Sequence, residues 1–438
     1  QKQAKHRRLE AFPEKPKPQQ AKQSWGTNWC SYRCFAHRYN TCDTFRFLHL
    51  IAHQNCLMSD SVIAAPALDV LHGRHSSKWR RFPEDVLPMH VAEMDFQLAQ
   101  GIRERLIKMV SESDLGYTGP VPEVAEAFEG FAKDRWNWNI DKSQLKLVTD
   151  VGVGVVEFLR TNGVANGKVI INSPVYHGFW EWLGELNIQT VDVPLAPDYE
   201  LDIDGIEKQF AGGVKFLLLC NPQNPVGKAF SRAQLTELAR VAKKHDAVVI
   251  SDEIHAPLTY EDHEFTPYLN CGPDAEATGI CVTSSSKSWN HAGLKAGFVL
   301  TQSEAMQARA NLMPQATHWR SSLLGAFALV EAYSNGTDWL DNTVKVLDDN
   351  RKFLKSELKL RFPEVTYNLP GAGYLAWLDV SAWNLGADTV NHLVANGRVS
   401  LVPGNDHGPE YTNFVRLNFG TSQEHISEGL ARIAKALG

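Results

Sequence analysis

Short apolar runs separated by helix-period stretches dominate this chain. KVIINSP, KFLLLCNP, AVVISDE and GICVTSS start near residues 168, 215, 247 and 279, and each is almost wholly apolar or β-branched before a polar or proline stop. Such runs predict strands buried on both faces. Between two of them, SRAQLTELARVAKKH has apolar residues at helical spacing, and Ser231 with Gln234 forms a capping-box signature at its start. Strand–helix alternation of this kind predicts an α/β fold with a mainly parallel sheet covered on both faces. Beyond about residue 310 the pattern changes. SSLLGAFALVEAYSN and DNTVKVLDDNRKFLKSEL read as long helices ahead of isolated strands in GYLAWLDV and FVRLNFG. We expect a large domain over 101–310, a smaller α+β domain over 311–438, and an N-terminal segment, 58–100, that joins the smaller one.

Composition narrows the class. The 438 residues are 43% hydrophobic and 21% charged, an ordinary globular mixture long enough for two domains. No apolar run approaches the roughly 18 residues of a membrane span. With a net charge of −6, nothing favours nucleic acid. The charge is uneven, however. Residues 1–57 hold ten Lys/Arg and three Asp/Glu, a net of +7, which leaves −13 for the remainder. QKQAKHRRLEAFPEKPKPQQAKQ is polar and proline-bearing, a composition that predicts disorder. Cys30, Cys34, Cys42 and Cys56, with His37, His49 and His53 nearby, match no zinc spacing, so no metal is expected. TFRFLHLI is too short, and too broken by Arg46 and His49, for a signal sequence. MSDSVIAAP, starting at Met58, reads as a natural start, which makes 1–57 a translated upstream region or a non-native extension. Cys220, Cys271 and Cys281 are scattered and predict buried thiols in a reducing cytoplasm.

Candidate chemistry gathers where the predicted strands end. Lys287, in SSSKSWNHAGLKAGF, follows the run GICVTSS, and α/β sheets place their chemistry at the carboxyl ends of strands. A desolvated lysine amine there can form the Schiff base that holds pyridoxal phosphate (PLP). Asp252, Glu253 and His255 follow AVVI, and a carboxylate at that place could pair with a protonated pyridine nitrogen. Asn224 stands between prolines in CNPQNPVG, a stiff turn. VTDVGVGVVEF fails the dinucleotide fingerprint at Glu157, and NPVGKAF fails the P-loop at Pro222 and Ala229. The former can still open a helix whose free N–H groups suit one phosphate. Arg416, inside the apolar run FVRLNFG, needs an anionic partner if buried, either a structural salt bridge or a substrate carboxylate.

Taken in order, SKWRRFPEDVLPMHVAEMDF, GYTGP, SPVYHGF, CNPQNPVGKAF, SDEIHAPLTY, SSSKSWNHAGLK, GYLAWLD and VRLNFG resemble fold-type I PLP enzymes of the aspartate aminotransferase superfamily. Within it the chain is similar to MalY/PatB-type cystathionine β-lyases, especially the actinobacterial AecD-like C–S lyases. The resemblance runs from about residue 75 to the end. It implies a large domain with a mostly parallel seven-stranded sheet. It implies that Lys287 bonds PLP and moves protons, and that Asp252 pairs with the pyridine nitrogen. Asn224 and His255 would lie near the PLP 3′-oxygen, and Tyr176 would stack on the ring. Val151 and Gly152 would meet the phosphate through their backbone, helped by Ser284 and Lys295. Tyr117 would reach the phosphate in the neighbouring subunit of a homodimer. Arg416 would grip the substrate α-carboxylate, and Ala92 would line the substrate site beside Tyr176. The implied reaction is β-elimination of a sulfur leaving group, which from cystathionine yields homocysteine, pyruvate and ammonia. An aminotransferase, or a MalY-like regulatory protein with secondary lyase activity, are the alternatives. Some positions depart from the family pattern. His90 stands where Trp is frequent, Gly373 where Thr is usual, and Thr149-Asp150 where Pro-Gly is common.

Overall fold

The structure of the protein, a computed structural model, describes residues 63–438, so the readings on residues 1–57 and on the start at Met58 lie outside the described residues. In chain order the strands are β1 Leu87–Pro88, β2 Leu145–Val148, β3 Lys168–Ile171, β4 Gln189–Asp192, β5 Phe216–Cys220, β6 Val248–Asp252, β7 Gly279–Thr283, β8 Gly297–Leu300, β9 Thr366–Tyr367, β10 Leu375–Asp379, β11 Val399–Ser400, β12 Val402–Pro403 and β13 Phe414–Asn418. Seven of them form one sheet in the order β2-β8-β7-β6-β5-β3-β4. Only β8 runs against the rest. The four strands read from the apolar runs are therefore β3, β5, β6 and β7, neighbours in the middle of the sheet.

Those runs are continuous because both faces of the sheet are covered. Every residue of β5, β6 and β7 is buried. Leu217, Leu219, Val249 and Cys281 point into one core. Leu218, Cys220, Ile250, Ile280 and Val282 point into the other, the period-two alternation of a strand. The helix between β5 and β6 is Arg232–Lys244, and both halves of the Ser231–Gln234 capping box are present. Registers align the strand ends. Cys220 lies opposite Asp252, and Asp252 opposite Val282. The loops after β2, β3, β5, β6 and β7 thus leave from one edge.

A second, antiparallel sheet, β12-β13-β10-β9, carries Arg416 opposite Trp377 and Val402. On β13, Val415 and Leu417 enter the core, which turns Arg416 and Asn418 to the other face. Helix Leu323–Asn335 packs on helices Gln100–Ser111 and Pro122–Trp136. Helix Thr337–Arg361 packs on Gln423–Leu437. The N-terminal segment joins β13's neighbourhood. β1 pairs with β11, and the Met89 carbonyl accepts from Asn418 N–H at 2.9 Å.

Candidate active site

Lys287 sits in the turn after β7, and serines hold that turn. Ser284 Oγ donates to the Ala296 carbonyl at 2.7 Å and accepts from Ser286 N–H at 3.0 Å. The Ser284 hydroxyl proton is therefore committed within the chain. Lys287 itself is partly buried, and its Nζ donates to the Ala92 carbonyl at 2.9 Å. Tyr374 Oη donates to the same oxygen at 2.9 Å. Burial pulls the Lys287 pKa down to about 8. Glu93 and Asp252 oppose that shift, while Arg416 and Lys295 add to it.

A stability signature follows for the cofactor-free protein. Unfolded, Lys287 returns to its ordinary value of 10.5. Between about 8 and 10.5 the unfolded chain binds the extra proton, so stability rises with pH across that window. Below about 8 both states are protonated and the cost of burying the charge stands in full. Lys287→Met should therefore raise the denaturation midpoint at neutral pH, and the gain should shrink as pH climbs through the window. Urea titrations of both proteins across that range test this. A gain independent of pH would be incompatible with a buried, titrating amine.

Asp252 ends β6, buried, with Oδ1 accepting from Ile254 N–H at 3.1 Å. Burial pushes its carboxyl up to about 7, against the pull of that N–H and of Lys287. His255, in the following turn, is buried, and its Nδ1 has no hydrogen-bond partner. Burial, then Lys287 and Arg416, push its pKa down to about 3, so the ring is neutral.

Arg416 is 2% exposed. Its Nη1 meets Asn224 Oδ1 at 3.1 Å and His407 Nε2 at 3.2 Å, and its Nη2 donates to the His90 carbonyl at 3.1 Å. Its Nε has no partner. Burial lowers its pKa to about 10, so the guanidinium stays charged at neutral pH. Among the described residues no carboxylate pairs with it, which leaves a buried cation held only by neutral groups. The structural salt bridge considered from the sequence is not formed among the described residues.

Helix Val151–Thr161 begins directly after β2. The N–H groups of Val151 and Gly152, in its first turn, have no intrahelical acceptor. Asp150 caps the helix, with Oδ1 accepting from Val153 N–H at 2.9 Å and Oδ2 paired with Lys295 Nζ at 3.0 Å. A Cβ at Gly152 would lie 2.6 Å from the Trp182 ring. Glycine alone lets the helix start sit against that indole. Tyr176 meets the same indole edge-on at 5.7 Å.

Lys287, Tyr176, Ala92 and Arg416 line one cavity of about 580 Å³. Asn224 joins them through its bond to Arg416, and Val151, Gly152 and Lys295 lie together at the helix start. Tyr117 stands apart, 99% exposed. Sequence reasoning missed Tyr374, His407 and Asn418. Asn418 Nδ2 donates to the Val91 and Glu93 carbonyls at 2.6 and 2.7 Å and so fixes the backbone on either side of Ala92. Asn418 had a signal, two residues beyond Arg416 on the same strand face; His407, in an irregular loop, had none.

A family profile for aminotransferase class I and II matches residues 85–433. The chain belongs to that family. Its relatives within the family include C–S lyases. It is 34% identical over 374 residues to a cystathionine β-lyase of Corynebacterium glutamicum, covering 85% of this chain and 99% of that one. It is 30% identical over 380 residues to cystathionine β-lyase PatB of Bacillus subtilis, covering 83% and 97%. The solved structure of cystalysin from Treponema denticola, which contains a pyridoxal 5′-phosphate cofactor, superimposes with a TM-score of 0.81 at 26% identity, covering 87% and 99%. The fold is the fold-type I, aspartate aminotransferase-like one.

Proposed function

We propose that the protein is a PLP-dependent carbon–sulfur β-lyase that cleaves L-cystathionine, and related S-substituted cysteines, to a thiol, pyruvate and ammonia. The observation that carries the reading is the meeting, in one cavity, of a lysine whose pKa is lowered to about 8 and a buried guanidinium without a carboxylate partner. Relatives that are cystathionine β-lyases along nearly their whole length support it.

The residues present fit the cofactor. Asp252 is a buried carboxylate without an ion pair among the described residues, and a protonated ring nitrogen would keep it charged. The unpartnered Nδ1 of His255 shows that its turn has polar capacity to spare. Val151 and Gly152 offer first-turn N–H groups to a phosphate, and Gly152 is confined by Trp182. Lys295 supplies a cation there, at present shared with Asp150. The Ser284 hydroxyl would have to leave Ala296 to help. Asn224 and His255 would face the 3′-oxygen, and Tyr176 the ring. PLP, when bound, supplies an electron-withdrawing ring that stabilises negative charge at the substrate α-carbon.

The chain's own groups do the rest. Arg416 binds the α-carboxylate of the amino acid through its planar fork, oriented by Asn224 and His407. Lys287, which would hold the cofactor's aldehyde carbon at rest, takes the α-proton at Nζ. An amine with a pKa near 8 has a substantial neutral fraction near neutral pH and suits that task. The Ala92 carbonyl, fixed by Asn418 on both sides, holds Nζ in place. We place the reaction in the cytoplasm, where the buried thiols of Cys220, Cys271 and Cys281 stay reduced. We also propose a homodimer in which Tyr117 enters the neighbouring site. Its 99% exposure, unusual for an aromatic ring, supports this.

Incubation of the PLP-loaded protein with L-cystathionine should release free thiol and pyruvate in equal amounts. Amination of an added 2-oxo acid without thiol release would assign the protein to amino-group transfer instead.

A further inference from the structure

The cavity holds more polar groups than α-carboxylate binding and proton transfer use. His90 and Arg416 on its lining are buried, whereas Arg81, Glu181, Asn405 and Asp406 are exposed at its mouth. Arg81 directly follows the short helix Ser77–Arg80, and its N–H closes that turn on the Ser77 carbonyl at 3.2 Å. The helix is anchored by the buried pair Lys78–Asp95 at 2.8 Å. Phe82 packs edge-on against the His90 ring at 5.0 Å. Asp406 comes from a different loop, the turn Gly404–His407, whose last residue touches Arg416. Both mouth residues are thus attached to elements that also position the α-carboxylate site.

The charges at the mouth are unspent. Among the described residues the side chains of Arg81, Asp406 and Glu181 make no hydrogen bond or ion pair, although charges of both signs stand around one opening. Burial raises the Asp406 carboxyl, and Arg416 and then Arg81 pull it back, so the two cations lie within electrostatic reach of it. Phe82, Val390 and Leu401 supply apolar wall beside them. One guanidinium is already assigned to an α-carboxylate, so a second at the mouth calls for a second anion. Asp406, a carboxylate at the same opening, can accept from an ammonium.

We propose that Arg81 and Asp406 form a second subsite that takes the carboxylate and ammonium of the distal amino-acid head of cystathionine, and so set the preference for it over S-substituted cysteines that lack such a head. The inference rests on the lyase reading and assigns the residues that set its substrate preference. The spacer methylenes lie along the apolar wall, and the bidentate geometry of arginine suits the distal carboxylate. Because the subsite is exposed and solvent-screened, its contribution is moderate, roughly a threefold to tenfold gain in affinity.

Calorimetry of the PLP-loaded protein with two uncleavable ligands tests this. One is the carbon isostere of cystathionine, with a methylene in place of sulfur. The other is the straight-chain L-amino acid of equal length that ends in a methyl group. The native protein should bind the isostere about threefold to tenfold more tightly. Arg81→Gln and Asp406→Asn should each reduce that difference, and Arg81→Lys should keep part of it. Equal affinity of the native protein for both ligands, or an Arg81→Gln variant that weakens both alike, overturns the subsite. Neither ligand can be cleaved, so a protein that discriminates between them yet releases no thiol from cystathionine would keep the subsite and lose the lyase reading.

Discussion

Lys287→Ala should lose cystathionine cleavage by roughly a thousandfold or more, since we propose that the same amine holds the cofactor and moves the α-proton. Its surroundings exclude an easy substitute. Lys295 lies at the start of the helix Val151–Thr161, paired with Asp150, and does not line the cavity that Lys287 enters. Borohydride reduction of the native, PLP-loaded protein should fix the cofactor on Lys287, identified by peptide mapping. The variant should bind PLP only reversibly, and its visible band should disappear on dialysis. Retained turnover, or a label on Lys295, would move the covalent site and with it the whole assignment of roles.

Arg416→Lys should lower kcat/KM for cystathionine by roughly ten- to a hundredfold, the value of one charge-assisted pair, while the melting temperature barely moves. The physical reason lies in what Arg416 touches. Asn224, His407 and the His90 carbonyl are neutral, so no carboxylate is stranded when the guanidinium goes. Burial holds His407 well below its ordinary pKa, which keeps it an uncharged neighbour. A lysine retains the charge but cannot present two parallel N–H groups to a carboxylate. Kinetics and thermal melts on the same preparation separate the two roles. A variant that melts much earlier yet keeps its kcat/KM would make Arg416 a structural residue.

The two outcomes are linked through Ala92. Its carbonyl accepts from Lys287 and from Tyr374, and its neighbours are tied to Asn418, two residues along the strand from Arg416. The N-terminal segment is therefore part of the site's framework. Changes there should alter catalysis without touching the central sheet.

Much of this architecture was legible in the chain itself. β5, β6 and β7 could be read because a strand covered on both faces must be apolar throughout, and that requirement is local. The placement of Lys287, Asp252 and Asn224 at the sheet edge could be read because each ends or follows such a run, where a parallel sheet exposes its loops. Arg416 stood out as a charge within an apolar strand. A helix opening within VTDVGVGVVEF and the Ser231–Gln234 cap followed from local signals. What only the tertiary structure decided is which of these groups meet, and which are already engaged. Lys287 and Ala92 are 195 residues apart, Arg416 and Asn224 are 192 apart, and Arg416 and the His90 carbonyl are 326 apart. Strand order and register set those meetings, and periodicity carries neither. The pairing of Asp150 with Lys295, the Ser284 hydroxyl turned to Ala296, and the free charges of Arg81 and Asp406 at one opening belong to the same class. Apolar pattern determines which face of an element is buried, whereas the partner of a polar side chain depends on packing between segments that are distant in the chain.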